Sequence, residues 1–389
     1  MPDRLVVRTV PVDDPGDLIA RLPHPGSVSW IRRGEGLVGW GEAARVSIPA
    51  GEDRFTAGEK WLIELFDGAD VRDDVGLPGC GPVAFGSFTF DPASDGSVLV
   101  VPTTVLGRGS GRSWLTTIGG RPQPVVPVGP APAGLRWHDG SLTAPQWQRA
   151  VSAAVARIRA GDLSKVVLAR DLYATASQDI DARALLARLA ARYPDCWTFC
   201  CAGLVGATPE LYIRRVGADV RSLVLAGTTP RGGSATEDAA LGAALLASAK
   251  DVEEHRYAVA DVRAALAPLC DRLDIDEQPW LLRLANLQHL ATGVTGRLAG
   301  SPQAAPGAAL SEHASALALA AALHPTAAVC GTPAGAAMEL IRELEGMDRA
   351  GTRARSAGWT RAATASGASR CGARNWTAAG RGCSRAAAS

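Results

Sequence analysis

Thr143-Ala144-Pro145-Gln146-Trp147 opens a stretch that closes with Gly161-Asp162 and runs on into Lys165-Val166-Val167-Leu168-Ala169-Arg170. Thr143 suits a helix N-cap, because its hydroxyl can accept from an early backbone N–H, and Pro145 suits the first turn, where a missing N–H costs nothing. Trp147, Val151, Val155 and Ile158 then fall on one helical face. Gly161-Asp162 ends that helix, and the apolar run at 165–170 reads as a strand. Working outward, the patterning predicts further helices over 55–66, 181–193, 236–268, 308–322 and 334–344. It predicts strands over 27–30, 83–90, 97–105, 197–205, 210–216, 221–226 and 292–298. Strand and helix runs are mixed rather than strictly alternating. That favours an α+β fold, a single large layered domain, over a doubly wound parallel sheet. Residues 1–135 form a strand-rich amino-terminal half whose end, 121–134, is a Pro/Gly-rich linker. Residues 140–349 form the second region.

Composition narrows the function. The 389 residues carry 40 Lys+Arg against 39 Asp+Glu, a net of +1. Phosphate contacts need a surplus of basic groups, so a nucleic-acid binder is disfavoured. There is no run of 18 apolar residues, so no membrane span is expected. The start lacks an export pattern and the eight Cys are scattered, which makes a reducing cytoplasm the default expectation. Gly107-Arg108-Gly109-Ser110-Gly111 has no Lys-Ser/Thr after it and reads as a plain turn rather than a phosphate loop.

Several polar residues stand where patterning predicts core or turn. Lys165 begins an apolar strand. It is either a strand-end ammonium reaching water or, if enclosed, a usable base. Glu210, in Pro209-Glu210-Leu211, is either a strand-edge carboxylate or, if enclosed, a proton donor. In Ala226-Gly227-Thr228-Thr229-Pro230-Arg231-Gly232, the Gly permits close backbone approach and Thr offers a hydroxyl, as a carboxylate ligand requires; many ordinary turns look the same. Asp251 and Glu254 are three apart on a helix and share a face, where a hard cation would offset their repulsion. His289, in Gln288-His289-Leu290, reads alone as a satisfied core imidazole. Cys330 is discounted as a nucleophile, because Ala328 and Val329 beside it suit packing.

Together these segments resemble the chorismate-utilising enzymes, and most nearly the isochorismate synthases. The resemblance rests on Lys165 to Arg170, Pro209-Glu210-Leu211, Leu225-Ala226-Gly227-Thr228, Lys250-Asp251 with Glu254-His255, Gln288-His289-Leu290, Leu323-His324-Pro325-Thr326 and Glu345-Gly346-Met347-Asp348-Arg349. Ala84-Phe85-Gly86-Ser87-Phe88-Thr89-Phe90-Asp91 matches the family's amino-terminal half. The resemblance implies chorismate as substrate and Mg²⁺ as cofactor, held partly by Glu254 with Asp251 supporting its waters. It implies Lys165 as the base that activates water for attack at C2 and Glu210 as the acid that protonates the departing C4 hydroxyl. Ala226, Gly227 and Thr228 would line the carboxylate site, with His289 and Ala328 against the substrate. Relatives that use ammonia usually carry an amide residue where Lys165 stands, and relatives that go on to eliminate pyruvate tend to carry Thr where Ala328 stands. Both positions favour water as nucleophile and isochorismate as product. A salicylate- or anthranilate-forming enzyme and a non-catalytic remnant are the alternatives. Ala334 departs from the Arg or Lys that commonly follows this Pro. A monomer is expected, serving a siderophore or a menaquinone pathway.

The charge is unevenly distributed. Residues 350–389 hold seven of the Arg, no Lys, Asp or Glu, and no Leu, Ile, Val, Met, Phe or Tyr. The first 349 residues are therefore net acidic. A segment so poor in aliphatic side chains is expected to form a disordered basic tail. Reading its codons one base earlier restores family text: from Arg349 that frame permits Gly-x-Tyr-Ala-Gly-Pro-Val-Gly-Trp-Val-Asp. Asn375-Trp376-Thr377 yields Leu-Asp whichever Asn codon is used. The expectation is that a frameshift near Arg349 replaced the family's carboxy-terminal part. An Arg, substrate-binding glycines and a second metal-binding Glu would go with it, leaving the chain as written slow or inactive.

Overall fold

A computed structural model describes residues 4–119, 127–299 and 314–349, together with the backbone of four short strands beyond them. Two ten-stranded sheets dominate. In the first, Leu204–Thr208, Trp197–Cys201, Val28–Arg32, Glu35–Trp40, Thr104–Gly109, Arg112–Ile118, Val6–Val12 and Asp70–Asp73 lie side by side. The second runs from Cys270–Ile275 through Leu287–Leu298, Asp219–Pro230 and Ile213–Val216 to Val83–Phe88, Ser97–Val101 and Ala44–Ile48. Each sheet draws strands from both sides of the 121–134 linker, so the two regions are halves of one layered α+β domain.

Strand alternation assigns each face a partner. Trp30, Val105, Phe199 and Leu204 of the first sheet pack against Val83 and Phe85 of the second. Their neighbours Ile31, Leu106, Cys200 and Val205 point the other way, onto Leu185 and Leu186 of the Ala182–Arg192 helix. On the far face of the second sheet, Ala84, Phe88, Ile213, Val224 and Val294 meet Leu62 and Phe66 of helix Arg54–Asp67 and Val262 and Leu266 of helix Ala249–Leu266. The order of layers is helix, sheet, sheet, helix.

The opening stretch folds as its chemistry requires. Thr143 caps helix Ala144–Ala160 in a reciprocal box with Gln146, and Gly161 ends it at φ +87°, a left-handed value that suits Gly. The helix predicted over 236–268 is instead two, Ala235–Ala247 and Ala249–Leu266. Ser248 is extended between them (φ −71°, ψ 107°), and its hydroxyl caps the second. Of the strand predicted over 165–170, Lys165–Val166 pairs with Gly331–Thr332 and Arg170 makes an isolated bridge, with no ladder at 167–169. Of the helix predicted over 308–322, Ala316–Ala322 forms behind the N-cap Ser315, and residues 308–313 lie outside the described set. Ser110 and Gly111 make the turn of an ordinary hairpin. No helix of the described residues is long and apolar enough to cross a membrane.

Of residues 350–389, four short strands are described. Arg355–Thr360 pairs with Val83–Phe88, and Ala365–Ala368 with Ile213–Val216, so this hairpin bridges the two parts of the second sheet. Residues 374–375 pair with Leu204–Thr208, and 384–385 pair with them in turn. A ladder of backbone hydrogen bonds needs no particular side chain, and an unpaired edge within a sheet is costly.

Candidate active site

A cavity of about 490 Å³ opens on one side of the second sheet, and eight of the nine sequence-predicted site residues line it. Lys165 enters from its two-residue strand and Glu210 from just beyond the Leu204–Thr208 strand. Both are 9% exposed, so each is an enclosed charge rather than a strand-end group in water. The Glu210 N–H donates to Thr208 Oγ1 at 3.2 Å, which fixes the turn that carries the carboxylate.

The glycine-containing segment predicted as a loop is part of a twelve-residue strand, Asp219–Pro230. It pairs with Leu287–Leu298, and the register slips between Ala226 and Thr228. Gly227 forms the resulting bulge at φ +80°. A Cβ there would come within 3.1 Å of Leu290 and 3.3 Å of Asp251. The bulge turns Thr228 toward the opposing strand, where its Oγ1 and His289 Nδ1 share a hydrogen bond of 2.8 Å. Burial holds the His289 imidazole below its ordinary pKa against an opposing backbone contact at Gly227, so the ring is neutral at pH 7.

Helix Ala249–Leu266 forms the opposite wall. Glu254 Oε1 lies 3.1 Å from Lys165 Nζ. That ammonium is buried and makes an ion pair, but no aligned hydrogen bond. The neighbouring His255 turns into the structure: Nδ1 meets the Ala226 carbonyl at 3.1 Å and Nε2 meets Thr292 Oγ1 at 2.7 Å. It anchors the helix to the bulge, and burial keeps it neutral. Ala328 completes the cavity from a turn whose Ala327 N–H donates to Asp261 Oδ2 at 2.7 Å. Burial raises the Asp261 carboxyl above its usual range. Cys330 is fully buried, in keeping with its packing role.

Asp251 is the predicted residue that does not reach the cavity. Its carboxylate accepts from the Ser248 hydroxyl while its N–H donates back to that hydroxyl at 3.2 Å. These two bonds tie Asp251 to the N-cap of its helix. The sequence reasoning passed over Lys250, Glu253 and Tyr257, which also line the cavity. Their spacing with Glu254, i, i+3, i+4 and i+7, is the signal that marks one helix face.

A hard divalent cation takes oxygen ligands, often one or two carboxylates with waters and substrate oxygens. Among the described residues no three acidic, His or Cys side chains converge as a preformed cage. Glu254 faces the cavity and Asp251 does not, which fits an ion that the substrate helps to hold.

A family model described as "Chorismate binding enzyme" matches residues 135–373, most of the chain and every residue of this cavity. The chain belongs to the chorismate-binding enzymes. Among curated members of the family, it is 41% identical over 237 residues to the salicylate biosynthesis isochorismate synthase of Pseudomonas aeruginosa, covering 60% of this chain and 47% of that one. It is 38% identical over 229 residues to an isochorismate synthase of Bacillus subtilis, covering 56% and 55%. The matched stretch thus spans about half the length of these relatives. The menaquinone-specific isochorismate synthase of Escherichia coli shares the fold, with a TM-score of 0.78 at 21% identity over 99% of this chain and 88% of that one.

Proposed function

We propose that this chorismate-binding chain is an isochorismate synthase by design, adding water at C2 of chorismate and releasing the C4 hydroxyl. What carries the proposal is the enclosure of one ammonium, Lys165, and one carboxyl, Glu210, in the same cavity, beside the Thr228–His289 pair. Hydration at one carbon with loss of hydroxyl at another is an isomerisation. It needs one group to take a proton and another to give one. Nζ of Lys165, as the neutral amine, takes the proton of the attacking water. The O–C2 bond forms, the ring double bond shifts, and the C4–O bond breaks as Glu210 supplies a proton to the departing hydroxyl. Gly227 lets the backbone approach a carboxylate, and the Thr228 hydroxyl, oriented by His289, donates to it. Ala328 leaves the cavity wall smooth at its turn.

Mg²⁺ would be held by Glu254 with waters and the substrate's ring carboxylate, and when bound it would neutralise that carboxylate's charge. Loading the cavity would separate Glu254 from Lys165 and leave the amine to water. A cytoplasmic monomer goes with this reading, as do the free thiols of the described cysteines.

The shifted frame beyond Arg349 belongs to the same proposal. A site without the family's second carboxylate and substrate-binding Arg should turn over chorismate at least about 10²-fold more slowly. The test is chorismate with Mg²⁺, with and without ammonia, on this chain and on a version with the frame restored after Arg349. Isochorismate from the restored chain, and little from the chain as written, is the expected result. Anthranilate or salicylate as product would replace the assignment. Equal turnover by both chains would overturn the frame reading, and chorismate binding without turnover in either would mark a remnant.

A further inference from the structure

We infer that Glu345 and Arg349 form a buried clamp that positions Lys165 against the Ala328 turn, a role that rests on the site assigned above. Both side chains are 1% exposed; Glu345 ends the Ala334–Glu345 helix, and Arg349 lies four residues on, beyond the left-handed turn at Gly346. The Arg349 fork reaches two separate backbones: Nη1 donates to the Val329 carbonyl at 2.9 Å and Nη2 to the Val167 carbonyl at 2.7 Å. Nε donates to Glu345 Oε2 at 2.6 Å, and Nη2 also meets Oε1. That second carboxylate oxygen accepts from the Ala169 N–H at 2.6 Å. The guanidinium lies over Phe90, 4.4 Å from the ring centroid.

The clamped segments are the ones that supply the site. Val167 is two residues from Lys165, and Val329 adjoins Ala328. Backbone bonds join them as well: the Lys165–Val166 and Gly331–Thr332 strands pair over two residues, flanked by Ser164 N–H to the Thr332 carbonyl and Val167 N–H to the Cys330 carbonyl, each at 2.8 Å. A buried ion pair costs its partners their hydration, and an apolar pair of the same volume is often as stable. What an apolar pair cannot supply is a planar fork of five donors that holds two carbonyls and a carboxylate in one geometry. The function of the clamp is therefore placement. It sets where the Lys165 ammonium points in the cavity and how far the Ala328 wall stands from it.

The chain has three lysines, Lys60, Lys165 and Lys250. Reductive methylation with ¹³C-formaldehyde therefore gives three resolvable side-chain signals, and exposed Lys60 is an internal control. In Glu345→Gln and in Arg349→Gln the Lys165 signal should shift and broaden while Lys60 stays in place. Amide exchange at Val167 and Ala169 should speed at least tenfold relative to Ala291 in the sheet. A folded variant whose Lys165 signal and exchange rates do not move overturns the clamp. Should both variants fail to fold, exchange in the unaltered chain decides. The Ala169 amide, donated to a buried carboxylate, should be as slow as Ala291, and exchange at the rate of an exposed turn overturns the proposal. Turnover by Lys165→Met in the frame-restored chain tests the base assignment separately, so either idea can fail alone.

Discussion

Lowering the pH from 8 to 5 should cost this fold about 2 kcal/mol through a single imidazole. His324 sits at the head of the turn that carries Ala328, with ring centroids 5.5 Å from Phe55 and 5.9 Å from Phe90. Its Nε2 donates to the Phe90 carbonyl at 2.7 Å, and its Nδ1 is buried without a partner. Burial first, and the nearby Arg54 second, push its pKa from 6.5 down to about 4, while the Phe90 carbonyl and Asp91 oppose the shift. The folded ring therefore resists a proton that the unfolded ring accepts. Stability is full above the unfolded value near 6.5. It declines as pH falls through the window between the two values and levels off below about 4. At about 1.36 kcal/mol per unit, the 1.5 units between 6.5 and 5 give about 2 kcal/mol, and the whole window about 3. Urea unfolding at pH 8, 6 and 5 measures this in the unaltered chain and in His324→Gln, whose amide can still donate to Phe90. His255 and His289 act in the same direction in both proteins and cancel in the difference. The variant should lose about 2 kcal/mol less on acidification. Equal losses would refute the argument that this ring is held neutral.

Gly227→Ala should destabilise by about 1–2 kcal/mol in the same assay, because Ala resists the left-handed bulge and its methyl meets Leu290 and Asp251. Thr228→Val removes the hydroxyl bonded to His289 and should weaken chorismate binding about tenfold by calorimetry, with stability reduced by about 1 kcal/mol. Ser248→Ala deletes the cap of the Ala249–Leu266 helix and should cost about 1 kcal/mol by thermal or urea unfolding.

How much of this was legible in advance depended on the range of the interactions. The Thr143 cap, the Gly161 stop and the alternation in Val83–Phe88 follow from local chemistry, and each stands where its pattern put it. The break at Ser248 is also local: Ser248-x-x-Asp251 is a capping-box signature lying inside a long helical pattern. Missing it merged two helices into one. The bulge at Gly227 was not legible, because it arises from the register of a strand more than sixty residues away. Nor was the clamp. Glu345 and Arg349 read only as the ends of one segment that carries the family resemblance, and the tertiary fold is what brings the carbonyls of Val167 and Val329 to the guanidinium.

The 355–368 hairpin has a consequence for how the molecule is made. It is the link through which strands Val83–Phe88 and Ile213–Val216 join one sheet. On the ribosome, everything before it can be synthesised and can form helices and local hairpins while the second sheet remains in two pieces. The sheet becomes continuous only when a segment more than 250 residues downstream of its first partner strand emerges. Closing so long a loop is slow, and the edges that wait for it are unpaired. The period between synthesis of Phe88 and arrival of Arg355 is thus when the nascent chain most needs protection from other chains.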